Sequence, residues 1–176
     1  MNIPNIITIF RFFLVPLFVY VFFSGYDKNY MVSAGIFLLA GFTDVLDGYI
    51  ARKYNMVTKW GKLMDPLADK LMQLAVIISL WFKGLVPLWA ILVIFTKEVL
   101  MIIGGIVLYK DKIVVSASWY GKAATCLFYL SILLIIVNKN MTDFQRALLS
   151  GIAVGSALFA FIRYSLNFKH IKYPKK

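Results

Sequence analysis

Four aspartates lie close together in the stretch DVLDGYIARKYNMVTKWGKLMDPLADK, which runs from Asp44 to Lys70. They are half of the eight acidic residues in a chain that is 61% hydrophobic, and they stand at Asp44, Asp47, Asp65 and Asp69. Spacings of three and four residues place each pair on one face of a helix. Carboxylates without histidine or cysteine favour Mg²⁺, Mn²⁺ or Ca²⁺ over zinc. Four of them suffice for two ions, an arrangement suited to phosphoryl chemistry.

The aspartates could instead have a structural or a transport role. They could form structural ion pairs with nearby basic residues, namely Arg52, Lys53, Lys62 and Lys70. Charges buried in membranes are expensive, however, and are usually functional. They could also form an ion-transport site, but such sites tend to lie near the bilayer midplane between repeats, and this chain shows no internal repeat.

Small and basic residues accompany the aspartates. Gly48 directly follows Asp47 and leaves room for a ligand to reach the helix backbone. One turn after Asp47, Ala51 adds only a small side chain to the same face. Arg52 could hold a phosphate with two hydrogen bonds. Gly61 opens the next helix without a side chain, although both glycines could instead serve helix packing. The pattern is consistent with a site for a nucleotide phosphate.

Membrane helices must position these residues. A mean hydropathy of +0.81 and long apolar runs do not suit a soluble domain, and 176 residues suit one domain, residues 1–176. We predict an all-α, polytopic integral membrane protein with six transmembrane helices. The predicted spans are Asn5–Phe23, Tyr30–Arg52, Gly61–Phe82, Pro87–Tyr109, Trp119–Val137 and Phe144–Phe168. The short loop between the second and third spans brings the four carboxylates to one depth, about 5–12 Å inside the membrane boundary.

The net charge of +11 does not indicate nucleic acid as a partner, because the basic residues are scattered between apolar spans rather than gathered on one face. Their distribution instead predicts orientation. The side of the membrane with few basic residues would carry only Lys28, Lys83, Lys139 and Arg146. The side with many would carry Arg52, Lys53, Lys59, Lys62, Lys110, Lys112, Lys122, Lys169, Lys172, Lys175 and Lys176. Both termini and the aspartates are therefore predicted to be cytoplasmic.

The aspartate stretch resembles the signature of the CDP-alcohol phosphatidyltransferase family at every fixed position. The matching residues are Asp44, Asp47, Gly48, Ala51, Arg52, Gly61, Asp65 and Asp69. The resemblance implies that Asp44, Asp47 and Asp65 bind two Mg²⁺ or Mn²⁺ ions, and that Asp69 contacts a metal and is the base on the acceptor hydroxyl. It also implies a cradle for the CMP part of the donor, formed by Gly48, Ala51, Arg52, Thr58 and Gly61. Family members use CDP-diacylglycerol or a CDP-alcohol and release CMP.

The first residues, MNIPNIITIFRFFLVP, resemble the start of the phosphatidylglycerophosphate synthases of this family. By that resemblance Asn5 and Thr8 would line the donor site, and Arg11 would face it from the first span. Apart from the resemblance, Thr8 could bond its own helix and Arg11 could snorkel to the interface. Glycerol 3-phosphate is the implied acceptor. Candidates for holding its phosphate are Lys97, Lys122 and Arg11.

Three departures from the synthase pattern leave the acceptor open. Ala124 replaces the second lysine of a G-K-x-K-T segment, Lys97 replaces an arginine, and Gly105 stands where a second arginine is usual. A cardiolipin synthase, which uses phosphatidylglycerol as acceptor, is therefore the main alternative. We expect an enzyme at the cytoplasmic side of a bacterial-type plasma membrane, in contact with lipid, and the family suggests a homodimer. A divalent-cation transporter would show metal flux without CMP release, and a scaffold would show no dependence on nucleotide.

Overall fold

The computed structural model of the chain describes residues 3–54, 58–110, 119–138 and 140–172. Within those ranges all regular secondary structure is helical, which confirms the predicted all-α class. Each helix begins and ends within a few residues of a predicted span. The helices are α1 (Ile3–Phe23), α2 (Asn29–Lys53), α3 (Lys59–Phe82), α4 (Leu88–Lys110), α5 (Trp119–Val137) and α6 (Asp143–Lys172).

Four of the helices are long and apolar enough to cross a membrane, as judged over the described residues. Their candidate spans are Pro4–Phe23, Asn29–Ala51, Trp119–Val137 and Asp143–Leu166. Large apolar side chains point outward from these helices; Phe13 and Val45, for example, are more than two-thirds exposed. Soluble proteins rarely expose apolar surface of this extent, whereas lipid accommodates it. These four helices therefore have the character of membrane-spanning segments.

The helices fall into two compact units. The first comprises Met1–Leu85 and Leu133–Asn140, and in it α1 packs against both α2 and α3. Buried residues recur every three or four positions along α1, at Thr8, Arg11, Leu14, Phe18 and Phe22. This spacing forms one continuous face. Its second half is apolar, whereas its first half carries a hydroxyl and a guanidinium toward the other two helices.

Hydrogen bonds and a turn mark where α1 and α3 end. The buried side chain of Asn29 donates to the carbonyl oxygens of Phe22 and Ser24, both at 3.0 Å, and so satisfies the last turn of α1. Gly84 lies just after the end of α3, and its φ of +67° is a left-handed conformation that glycine adopts without strain. These features define the C-terminal ends of α1 and α3.

The second unit comprises Val86–Ile132 and Met141–Lys176, and in it α4 packs against α6. Lys97 forms an ion pair with the buried carboxylate of Glu98. An apolar groove of about 280 Å³ lies beside this pair and is lined by Leu92, Val93, Thr96, Lys97, Leu100, Leu158 and Phe161. Arg163 lies over the Tyr120 ring, 5.8 Å from its centroid.

Candidate functional site

Arg11 lies at the centre of the polar part of the first unit. Its side chain is fully buried, and its guanidinium joins two carboxylates of α2. Nη1 donates to Oδ1 of Asp44 at 2.7 Å, and Nη2 donates to Oδ2 of Asp47. The two aspartates are three residues apart on a helix, so both reach one guanidinium. Asp47 is itself buried, whereas the Asp44 side chain is 38% exposed. Asp44 is therefore the accessible carboxylate of the two.

Thr8 makes the corresponding contact with α3. Its hydroxyl is 2.5 Å from Oδ1 of Asp65, to which it donates, and 3.0 Å from the carbonyl oxygen of Pro4. Thr8 and Arg11 are three residues apart on the buried face of α1. One turn of α1 therefore contacts aspartates from both α2 and α3. The structure places three of the predicted metal ligands around Thr8 and Arg11, two residues that were predicted from the sequence to contact substrates.

The start of α3 is held by a second polar cluster. Thr58 caps the helix in an extended conformation: its hydroxyl accepts from the backbone N–H of Gly61 at 2.9 Å and donates to Oδ1 of Asn5 at 3.0 Å. A Cβ at position 61 would lie 3.1 Å from Oγ1 of Thr58 and 3.2 Å from Oδ1 of Asn5. Gly61 thus permits the close approach of Thr58 and Asn5, whereas Oδ2 of Asp65, at 3.6 Å, would be in ordinary van der Waals contact with such a Cβ.

Replacing Thr58 by valine is expected to lower the free energy of unfolding by about 1 kcal/mol, the usual cost of losing an N-cap. Valine keeps the branched shape but can neither accept from Gly61 nor donate to Asn5. Thermal unfolding of the purified protein in detergent, followed by circular dichroism, measures the change. Thr58→Ser keeps the hydroxyl and is the matched control. Equal stability of the valine variant and the wild type would show that this cap does not hold α3.

Asp69 lies one helical turn beyond Asp65 on α3. The buried side chain of Gln73 donates to its Oδ2 at 2.9 Å. Gln73 was not predicted from the sequence, although an amide four residues after an aspartate lies on the same helix face. The contact fixes the orientation of the carboxylate that is predicted to act as the base.

The structure describes fewer contacts for the other predicted site residues. Gly48 and Ala51 follow Asp47 along α2 and are half-buried. The Arg52 backbone belongs to the last turn of this helix, but its side chain falls outside the described part of the structure, so the phosphate contact stays a prediction. Lys97 and Lys122 belong to the second unit; Lys97 is paired with Glu98, and Lys122 is exposed near the start of α5. Their contact with an acceptor also remains a prediction.

The aspartates suit a divalent cation in their chemistry. Each offers hard carboxylate oxygens, and two of them converge on one positive charge, the Arg11 guanidinium. In this arrangement no three acidic, histidine or cysteine side chains of the described residues are grouped closely enough to hold one ion. The donor set itself fits Mg²⁺ or Mn²⁺, and Asp44 and Asp47 are already gathered around a cationic group.

The chain is similar to known proteins over nearly its whole length. Residues 1–162 match the model of the family described as CDP-alcohol phosphatidyltransferase. Three similar proteins carry the name CDP-diacylglycerol–glycerol-3-phosphate 3-phosphatidyltransferase. The protein from Rickettsia bellii is 41% identical over 99% of this chain and 96% of its own length, and the one from Aquifex aeolicus is 34% identical over 93% and 92%. The protein from Bacillus subtilis is 37% identical over 70% of each chain.

Proposed function

The chain belongs to the CDP-alcohol phosphatidyltransferase family, and we propose that it transfers the phosphatidyl group of CDP-diacylglycerol to glycerol 3-phosphate. The products are phosphatidylglycerophosphate and CMP. The observation that carries this proposal is similarity along almost the entire chain to proteins named for that reaction. The aspartate signature supports the reaction type, because all four of its carboxylates lie on the two helices that pack against α1.

The proposed roles of the residues follow the signature. Asp44, Asp47, Asp65 and Asp69 would hold two Mg²⁺ or Mn²⁺ ions, which supply electrophilic stabilisation of the phosphate groups when bound. Gly48, Ala51 and Arg52 would contact the nucleotide part of the donor. Asn5, Thr8, Thr58 and Gly61 would form the neighbouring wall of the donor site. The contacts among Asn5, Thr58 and Gly61 support a role in shaping that wall.

In the proposed reaction Asp69 accepts the proton of the terminal hydroxyl of glycerol 3-phosphate. The freed oxygen forms a bond to the phosphorus next to the diacylglycerol, and the bond from that phosphorus to the bridging oxygen of the diphosphate breaks. CMP leaves with that oxygen and its electron pair. Gln73 supports this role of Asp69, because its hydrogen bond to Oδ2 holds the carboxylate in one orientation. The apolar surroundings would keep water from competing as the nucleophile.

We place the reaction at the cytoplasmic side of a bacterial-type plasma membrane. The bias of lysine and arginine along the sequence supports this orientation, with six spans and both termini in the cytoplasm. The family match covers parts of both compact units, so we treat residues 1–176 as one catalytic domain. Donor acyl chains would stay in lipid while the acceptor arrives from water. A homodimer is proposed from the family alone.

A CMP-release assay with a panel of acceptors tests the proposal. Purified protein and CDP-diacylglycerol are mixed with glycerol 3-phosphate, phosphatidylglycerol, inositol phosphate or serine. We expect CMP release with glycerol 3-phosphate alone. Release with phosphatidylglycerol alone would instead support a cardiolipin synthase, the alternative that Ala124 and Gly105 keep open. Metal flux into proteoliposomes without CMP release would support a transporter.

Replacing Lys122 by alanine is expected to raise the KM for glycerol 3-phosphate about 10- to 150-fold. This range corresponds to roughly 1.5–3 kcal/mol for a hydrogen bond to a charged group. The KM for CDP-diacylglycerol should barely change, and Arg52→Ala should show the opposite pattern. Lys28→Ala removes an exposed lysine from the predicted far side of the membrane and is the matched control. If Lys122→Ala leaves the acceptor KM unchanged, Lys122 does not bind the acceptor.

A further inference from the structure

We infer that Arg11 is a positioning residue, which holds the metal-binding carboxylates of Asp44 and Asp47 in place and thereby sets how tightly the site binds divalent cations. The inference rests on the proposed function, since it assumes that these aspartates bind metal. It assigns Arg11 a role different from that of a contact for the acceptor phosphate. Thr8 does the same for Asp65 through its hydroxyl.

The burial of Arg11 is the first observation in favour. The side chain is fully enclosed, and both of its terminal nitrogens are used on carboxylates. Its remaining nitrogen, Nε, is buried and has no hydrogen-bond partner among the described residues. A guanidinium held in this way is directed at the aspartates and is enclosed by protein. The N–H groups that remain on the guanidinium are buried with it, so an acceptor phosphate could reach them only if the surrounding side chains moved.

The choice of oxygens is the second observation. Arg11 contacts Oδ1 of Asp44 and Oδ2 of Asp47, one oxygen of each carboxylate, and Thr8 likewise contacts only Oδ1 of Asp65. A carboxylate has two oxygens, so the guanidinium need not leave when a cation binds the others. Side chains that hydrogen-bond metal ligands in this manner orient them, and their loss typically costs about 10- to 100-fold in metal affinity or activity.

The positive charge of Arg11 also supports the inference. Asp44, Asp47 and Asp65 come from two helices that both pack against α1, and without a cation their charges repel one another. Arg11 supplies a positive charge at the point where Asp44 and Asp47 converge. Neutralising that charge should let the two carboxylates move apart. A divalent cation would then have to bring them together again, and its apparent affinity would fall.

Mn²⁺ binding to the purified protein in detergent tests the inference without any substrate. Free Mn²⁺ is measured by electron paramagnetic resonance for the wild type and for Arg11→Gln, Arg11→Lys and Thr8→Val. We expect about 10- to 100-fold weaker binding in Arg11→Gln, an intermediate value in Arg11→Lys and a smaller loss in Thr8→Val. The CMP-release activity of Arg11→Gln should recover at high Mn²⁺ concentration, which a merely misfolded protein would not do.

Matched controls separate positioning from general damage. Arg146→Gln removes an arginine whose ion pair is with an exposed aspartate on α6. Thr43→Val removes a buried hydroxyl that donates within its own helix, to the carbonyl oxygens of Leu39 and Ala40. Both should bind Mn²⁺ like the wild type. Thr8→Val and Arg11→Lys still test the inference if Arg11→Gln does not fold.

Several outcomes would overturn the inference. Wild-type Mn²⁺ affinity in folded Arg11→Gln and Arg11→Lys would show that Arg11 does not position the ligands. Tighter binding in Arg11→Gln would show that the guanidinium competes with the cation. A selective rise in the KM for glycerol 3-phosphate, with unchanged Mn²⁺ affinity, would return Arg11 to the acceptor site. Absence of Mn²⁺ binding in the wild type would contradict the proposed metal site itself.

Discussion

Replacing Asp65 by asparagine is expected to lower the rate of phosphatidyl transfer by about 10³-fold or more. A catalytic cation supplies several kcal/mol of transition-state stabilisation, and every 1.36 kcal/mol or so corresponds to a tenfold change in rate. Asparagine keeps the size of the side chain and an oxygen that can accept from Thr8. The variant therefore removes the charge while the contact between α1 and α3 can persist. Steady-state CMP release and Mn²⁺ binding measure the two effects.

Asp44→Asn and Asp47→Asn should be at least as inactive, but they also remove a charged partner of Arg11. Breaking a buried ion pair on one side costs about 3–5 kcal/mol of stability, so Asp47→Asn combines two defects. Asp27→Asn is the matched control, because Asp27 is exposed in the connection between α1 and α2. Excess EDTA should abolish the wild-type activity. Sustained turnover in EDTA, or in Asp65→Asn, would contradict a metal-dependent transfer.

Replacing Asp69 by asparagine is expected to lower turnover by about 10²- to 10⁴-fold, the usual contribution of a general base. The amide cannot accept a proton at neutral pH, although its oxygen can still accept from Gln73. Binding of CDP-diacylglycerol should survive in this variant better than in Asp44→Asn. Turnover is followed by CMP release, and donor binding by equilibrium dialysis of a short-chain, labelled analogue.

Comparison of the two aspartate variants decides the role of Asp69. If Asp69→Asn and Asp44→Asn lose donor and Mn²⁺ binding equally, Asp69 is mainly a metal ligand and the base lies elsewhere. Gln73→Leu offers a further comparison, because it removes the hydrogen bond to Oδ2 while it leaves the carboxylate in place. A smaller loss in Gln73→Leu than in Asp69→Asn is expected for a residue that only orients the base.

The helices could be predicted closely from the sequence. Each predicted span is a long apolar run ended by polar residues, and bilayer thickness fixes the length that such a run needs. The spacing of the aspartates likewise predicted that Asp44 and Asp47 share a face, and their common contact with Arg11 agrees with this. These features depend on the spacing of residues within a single helix, and the local sequence contains that information.

The partners of the aspartates could not be predicted in the same way. The basic residues that follow Asp44 most closely in sequence are Arg52 and Lys53, whereas the guanidinium beside it comes from position 11, on a different helix. Which helix face meets which neighbour depends on packing across the unit. The hydrogen bond from Thr58 to Asn5 is another such contact, since it joins residues 53 positions apart. Contacts between helices leave no periodic pattern in one sequence.

The transfer reaction is tested most directly by following labelled glycerol 3-phosphate into lipid. Purified protein is incubated with CDP-diacylglycerol, Mg²⁺ or Mn²⁺ and the labelled acceptor, and the organic phase and CMP are both quantified. We predict one labelled lipid molecule for each CMP released, and no label in lipid when CDP-diacylglycerol or the metal is omitted. CMP release with no label in the lipid phase would contradict phosphatidyl transfer to glycerol 3-phosphate.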